Sequence, residues 1–326
     1  MLTILRRGSV AVLATLACLA APHAIASDYP TKPVRIIVQF TAGTSTDILA
    51  RIVAQKMSQD WGQQVIVDNR PGAGAVLGTE MGAKAPPDGY TLTMAVSSAF
   101  GINPTLYAKL PYDAIRDFAP IANLGLTPQT LVASPSAPFK SVKEFVAAAK
   151  EKPGQVNYAS LGSGSTSHLT MEMFRSTAGI KLNHVPFKGS ADAHTQLMGG
   201  QIPAMFDAIP ATLPHIKSGK LRGLGIATLK RSQFLPDLPT IAEAGYPGFE
   251  AVGWIGIAAP AKTPVAILDK LNAEMVKIIN APDVSERLAT LAFTPVGDSR
   301  AQFAAYIKSE IAKWGSAVKE SGAKAD

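Results

Sequence analysis

Two short stretches of this chain have the residue types and spacing that hold an anion, Phe40 to Asp47 (FTAGTSTD) and Ser160 to His168 (SLGSGSTSH). Each sets small hydroxyl and glycine residues between an apolar run and a segment of helical spacing. Such a strand-turn-helix passage leaves the first backbone N–H groups of the helix without intrahelical partners, at the positive end of its dipole. A carboxylate or phosphate placed there is stabilised by both. In the first stretch Thr44, Ser45 and Thr46 can each cap the helix, and Thr44-Ser45-Thr46-Asp47 has the form of a capping box with Asp in place of Glu. The alternative at either stretch is a cap satisfied by its own side chains, with no ligand. Two such turns facing each other across a cleft would grip the two ends of a dicarboxylate.

Other chemistries fit less well. Ser165 and His168 are three residues apart, but a nucleophile elbow of the form G-x-S-x-G would need glycine where Ser165 stands. An exported Ser/His hydrolase of esters or amides is the rival reading, and it predicts turnover lost in Ser165→Ala. The five histidines, His23, His168, His184, His194 and His215, are scattered, and none shows the paired spacing of a zinc enzyme. Asn69 to Gly74 (NRPGAG) lacks the glycine order of a dinucleotide loop and the lysine of a phosphate-binding loop, so no cofactor is expected. Lys188, just after an apolar strand-like run, either pairs with an anion or is a solvated loop lysine; Asp207, ending Ala204 to Phe206, is a helix cap or a cleft residue.

The elements that must position these residues alternate. Val34 to Phe40 and Gln64 to Asp68 read as strands, with Ile48, Leu49, Ile52, Val53 and Met57 at helical spacing between them and Gly62 as the stop. A helix over Gly74 to Lys84 and a strand over Tyr90 to Val96 make a second βαβ unit, so a largely parallel sheet with right-handed crossovers is expected. The middle third repeats the alternation: a capped helix from Ser141 to Lys150, a strand at Val156 to Ala159, the glycine-serine loop, a helix near Ser167 to Ala178, and strands at Leu182 to Pro186, Ala204 to Asp207 and Gly223 to Ala227. Beyond Trp254 the pattern predicts helices at Pro264 to Asn280, Val284 to Leu291 and Arg300 to Val318. A helical tail without a core of its own folds back onto the first α/β set. Ligands in such folds lie at the carboxyl ends of strands, between the lobes.

Composition narrows the class. Residues 1 to 26 have the basic start, apolar core and small-residue ending (Ala24-Ile25-Ala26) of an export signal, cleaved after Ala26, which implies an exported protein. The only cysteine, Cys18, lies inside that segment in a context that fits lipid attachment poorly, and leaves the mature chain without a disulfide or thiol nucleophile. No later run is long enough to span a bilayer. The formal charge of +7 falls to +5 without Arg6 and Arg7, and no basic cluster is interleaved with aromatics, so nucleic acid is not a partner.

Taken in order, FTAGTSTDILAR (Phe40 to Arg51), NRPGAG (Asn69 to Gly74), Asp88 to Leu92, Ile102-Asn103-Pro104, VPFKGS (Val185 to Ser190), Gly199-Gly200-Gln201, Gly219 to Arg222, Leu238-Pro239-Thr240 and Glu243-Ala244-Gly245 resemble the Bug family. These are extracytoplasmic substrate-binding proteins of tripartite tricarboxylate transporters. The likeness runs from about Tyr29 to the C-terminus.

The resemblance implies an α/β, two-lobed periplasmic-binding-protein fold, each lobe a mostly parallel sheet flanked by helices, with residues 29–127 plus 252–326 as one lobe and 128–251 as the other. It implies a monomeric, non-enzymatic protein that closes on a small carboxylate, aliphatic or aromatic, and delivers it to membrane permease subunits or to a sensor kinase. The carboxylate-holding loops of the family correspond to Ala42, Gly43, Thr44, Ser45, Thr46 and Asp47, and to Ser160, Gly162, Ser163, Gly164, Ser165, Thr166 and His168. The distal end of the ligand corresponds to positions near Ser97, Ser98 and Phe100, near Phe187, Lys188 and Ala191, and at Asp207. Family loops usually read Pro-x-Gly-Gly-Ser; here Thr41 and Thr44 replace a Pro and a Gly and add hydroxyls. Phe100 is either a selector of aromatic carboxylates or a core residue.

Overall fold

A computed structural model describes residues 28–325, so the export-signal reading lies outside the described residues. In the N-terminal part, β1 (Val34–Val38), β2 (Val65–Asn69) and β3 (Thr91–Val96) form the expected parallel set, with α1 (Ser45–Trp61) and α2 (Val76–Ala83) as crossovers. The runs VRIIV and TLTMAV are almost wholly buried, as strands covered on both faces must be. Leu49, Ile52, Val53 and Met57 form the buried face of α1, and Gly62 ends it in the left-handed region at φ 64°. A wide helical turn over Ser97–Ile102 leads into the short α3 (Asn103–Leu106).

The next strand was not legible from the residue pattern. β4 runs for 16 residues, Phe118–Ala133, and changes partners midway. Phe118 to Pro128 pair antiparallel with β9 (Val252–Pro260), while Gln129 to Ala133 pair antiparallel with β7 (Ala204–Ala208). Pro128, which has no N–H to give, stands at the switch. Beyond it come α4 (Val142–Glu151), β5 (Asn157–Ser160), α5 (Thr166–Ala178), β6 (Asn183–Pro186), α6 (Ser190–Met198), α7 (Ile209–Lys217) and β8 (Arg222–Ile226). β5 lies parallel to both β6 and β7, and β8 pairs antiparallel with β4. The chain ends with α8 (Val265–Asn280), α9 (Pro282–Thr290), the short β10 (Thr294–Pro295) on β4, and α10 (Arg300–Ser321).

The main path across the sheet is therefore β2-β1-β3-β9-β4-β7-β5-β6. A parallel run stands at each end, as expected, and antiparallel strands join them. The tail supplies β9 as well as helices, and β9 enters the sheet between β3 and β4.

Two main hydrophobic clusters flank this sheet, one around Ile36, Leu92, Ile257, Leu271 and Phe303, the other around Leu131, Phe145, Phe174 and Phe206. Helix α10 reaches both: Phe303 and Ile307 belong to the first, Trp314 and Val318 to the second. Between them the buried Glu310 accepts hydrogen bonds from the indole N–H groups of Trp254 (3.0 Å) and Trp314 (2.8 Å).

Candidate functional site

The start of α1 is shaped by its own side chains. Thr44 Oγ1 accepts from the Asp47 N–H at 3.3 Å and donates to the Thr41 carbonyl, closing the cap. Asp47, expected at the ligand, instead turns back into the loop. Its Oδ2 accepts from the Gly43 N–H and the Arg51 side chain, both at 3.0 Å, and its Oδ1 from Asn69 at 2.9 Å. Burial would raise its pKa, but the bonds from Arg51, Asn69 and Gly43 outweigh it and hold the carboxyl below its ordinary range. Gly43 makes the turn at φ +85°, and Asn69 also donates to the Phe40 carbonyl. What the loop leaves over are the N–H groups of Ser45 and Thr46, which have no intrahelical acceptor, and the Ser45 hydroxyl, buried without a partner.

The start of α5 repeats this plan. Ser165 Oγ accepts from the His168 N–H at 3.2 Å, and Leu169 N–H closes on the Ser165 carbonyl. Ser167 Oγ accepts from the Leu161 N–H, and the Gly164 N–H donates to His168 Nδ1 at 3.2 Å. The His168 ring stacks on His184 at 4.4 Å, and His184 contacts the Ser160 hydroxyl. Glycines 162 and 164 carry φ of +99° and +84°, which the loop requires and a side chain would resist. Again two N–H groups remain unmatched within the helix, those of Thr166 and Ser167.

Both helix starts open on one pocket of about 440 Å³ of empty space, mouth included. Of the residues expected at the ligand, Thr44, Ser45, Thr46, Ser97, Ser98, Ser165, Thr166 and Asp207 line it. Others do not reach it. Ala42 and Gly43 are exposed, as are Lys188 and Ala191, and Phe187 packs on a smaller apolar cluster with Ala193 and Leu197. Ser160, Gly162, Ser163, Gly164 and His168 shape the loop behind the lining residues. Phe100 is a core residue: the wide turn that points Ser97 and Ser98 at the pocket sends its ring inward, 4.9 Å from Phe118.

The floor of the pocket escaped sequence reading. Thr127 and Gln129 come from β4 on either side of its partner switch, and Trp254 and Ile255 from β9. Ser97 fixes this floor, accepting the Trp254 N–H at 2.6 Å and donating to its carbonyl. Alternation in TPQT and the β-branched residues of Phe118 to Ala133 were the only signal, masked by Pro120 and Pro128.

A seam of contacts from side chains to backbone carbonyls runs beside the pocket. Tyr107 donates to the Ser163 carbonyl at 3.0 Å, and Asn103 Nδ2 to the Gly74 carbonyl at 3.0 Å. Gly74, at φ +56°, lies so close to the glycine-serine loop that an added Cβ would stand 1.8 Å from the Ser163 carbonyl oxygen. Chemically the lining offers N–H and hydroxyl donors, and Asp207 is the one acidic side chain among its described residues. The Ser165 hydroxyl accepts the capping bond from the His168 N–H, and His168 Nδ1 accepts from the Gly164 N–H.

The model of the tripartite tricarboxylate transporter family receptor, TctC, matches residues 49–323. BugT of Bordetella pertussis is 38% identical over 316 residues, covering 97% of each chain. Among solved structures, an R. palustris protein with adipate superposes with a TM-score of 0.89 at 33% identity, over 91% of this chain and all of its own. MatC from Rhodopseudomonas palustris with bound malate gives 0.85 at 33% identity, over 89% and 100%. The chain thus belongs to the TctC receptor family that includes the Bug proteins, and is a solute-binding protein, not an enzyme.

Proposed function

We propose that this protein captures a small carboxylate between the starts of α1 and α5 in the periplasm, as a monomer, and delivers it to the permease subunits of a tripartite tricarboxylate transporter. Residues 29–127 with 252–326 act as one lobe and 128–251 as the other. The carrying observation is that Ser45, Thr46, Thr166 and Ser167, whose N–H groups have no intrahelical acceptor, line one pocket together with the unpartnered Ser45 hydroxyl. A carboxylate satisfies these groups at once. Each helix start contributes on the order of 1 kcal/mol when partly buried, and closure of the seam shields the bonds from water. The malate and adipate complexes of the two similar structures support a carboxylate ligand. Hinge closure is then the state that the partner reads, through the ligand's differential contacts with the closed form. A sensor kinase would read the same state, and only the partner differs.

A thermal-shift screen of the mature protein, freed of ligand, tests this. Aliphatic and aromatic mono-, di- and tricarboxylates are compared with their amides. A ligand at about 100 times its Kd stabilises the fold by about 2.7 kcal/mol. The shift is expected from a carboxylate and not from its amide, and Ser45→Ala should weaken it about tenfold without lowering the Tm of the free protein, since the variant removes an unsatisfied buried hydroxyl. No shift from any carboxylate overturns the reading.

A further inference from the structure

Thr41, just ahead of α1, carries a hydroxyl that is buried and has no hydrogen-bond partner. Burying it unpaired is unfavourable. Its place is fixed from behind, because the Thr44 hydroxyl donates to the Thr41 carbonyl at 3.1 Å. In front of it stands Gly189: a Cβ added there would lie 1.7 Å from Thr41 Oγ1 and 2.9 Å from Thr41 Cβ. On the proposed division of the chain, the two residues belong to opposite lobes.

Gly189 is the residue that opens α6, and it has no side chain with which to cap that helix. The N–H groups of Ala191 and Asp192, which a capping side chain would satisfy, have no intrahelical acceptor. The Thr41 hydroxyl fills the space that such a side chain on Gly189 would take. Backbone conformation does not call for glycine here, since φ is −178°, an extended value that any residue adopts. What excludes a side chain is Thr41. The contact also continues the seam beside the pocket: a Cβ on Gly162 would meet the Gly74 nitrogen at 3.3 Å and the Phe187 carbonyl at 3.7 Å, which links Gly74 to the loop that carries Gly189. Both sides of the contact lead to the pocket. Thr44 lines one wall, and Ser190, next to Gly189, donates its hydroxyl to Asp207 on the other.

We propose that Thr41 is a positioning residue for closing. In the ligand-bound state its hydroxyl caps α6 from the opposite lobe, accepting from the N–H of Ala191 or Asp192, and so ties the loop before α1 to the loop before α6. The inference rests on the proposed closing of the lobes on a carboxylate. A bond made only in the closed state slows ligand release and leaves association unchanged.

The test is stopped-flow and calorimetric titration of the mature, ligand-free protein with malate, adipate, citrate and benzoate as probes. With the probe that binds most tightly, Thr41→Val, which keeps the shape and removes the hydroxyl, should release it about fivefold faster at an unchanged association rate. Thr41→Ser should release it as the unaltered protein does. The urea stability of ligand-free Thr41→Val should not fall, which a merely structural role for the hydroxyl would require. Gly189→Ala should bind at least about tenfold more weakly, and Thr41→Gly in the same chain, which removes the side chain that the new Cβ meets, should return the affinity to that of Thr41→Gly alone. Should Gly189→Ala fold poorly, the comparison of Thr41→Val with Thr41→Ser decides alone. Equal release from Thr41→Val and the unaltered protein overturns the cap and leaves carboxylate capture standing. If no probe binds even the unaltered protein, the capture reading loses its ground, and this inference falls with it.

Discussion

At the scale of single residues, the pocket is shaped by side chains that do not line it as much as by those that do. Asp47 is the clearest example, its carboxylate drawing Gly43, Arg51 and Asn69 together beneath the loop. Because its pKa is lower in the folded chain than in the unfolded one, the unfolded chain binds the proton more readily. The stabilisation is present above the ordinary carboxylate value, about pH 4, and is lost as the pH falls through the lower folded value. Urea denaturation at about pH 7 should show Asp47→Ala less stable by about 1–3 kcal/mol, and that gap should shrink towards about pH 3. A gap that does not change with pH would remove Asp47 from this role. The caps at Thr44 and Ser165 were legible because capping is decided within four residues of chain. Whether Asp47 faces the ligand or the loop depends on Asn69, 22 residues away, and whether Phe100 faces a pocket or a core depends on Phe118. Neither is a local matter, and no spacing rule reports it.

Among the elements, the parallel strands and the crossovers α1, α2 and α5 were readable since buried strands and amphipathic helices announce themselves by period, while the short crossover α6 was not read. β4 and β9 were not. Both carry residues poorly suited to strands, Pro120 and Pro128 in one and Gly253 and Gly256 in the other, and at each of the two glycines a neighbour from far along the chain fills the space of a side chain. Gly256 gives up its side chain to the ring of Phe303, whose Cζ would lie 2.2 Å from an added Cβ. Helix α10 is the element that holds β9 in place, through Glu310 between the two indoles. Glu310→Ala leaves both indole N–H groups buried and unpaired and should cost about 2–4 kcal/mol, while Glu310→Gln, which keeps an acceptor, should cost less than half of that. Because Trp254 lines the pocket, the Ala variant should also bind more weakly at a temperature where it is fully folded. Equal stabilities for the two variants would show that the indole bonds do not carry the effect.

At the scale of the whole molecule, Gly74, Asn103 and Tyr107 meet beside the glycine-serine loop in a seam that the proposed function takes as the line of closing. Gly74→Ala adds a side chain where φ is +56° and where the Ser163 carbonyl already stands, so the variant should fold and remain open. X-ray scattering should then show the radius of gyration falling with carboxylate for the unaltered protein and not for Gly74→Ala, with affinity reduced at least tenfold. Gly154→Ala, at φ +75° with nothing within 4 Å of its added Cβ, is the control for backbone strain alone. Compaction of Gly74→Ala to the same extent would remove the seam from the closing motion. The strand that floors the pocket, β4, is also the strand that passes from one parallel run to the other, with Thr127 and Gln129 on either side of the change of partner. On the proposed function, recognition and bending therefore fall on the same few peptide units. A lineage acquiring a new substrate would on that reading retune the closing whenever it altered the floor or Ser97, which is bonded to Trp254, whereas Ser98 is freer to diverge. Inherited variation in ligand choice should accumulate along the walls and be sparse on the floor.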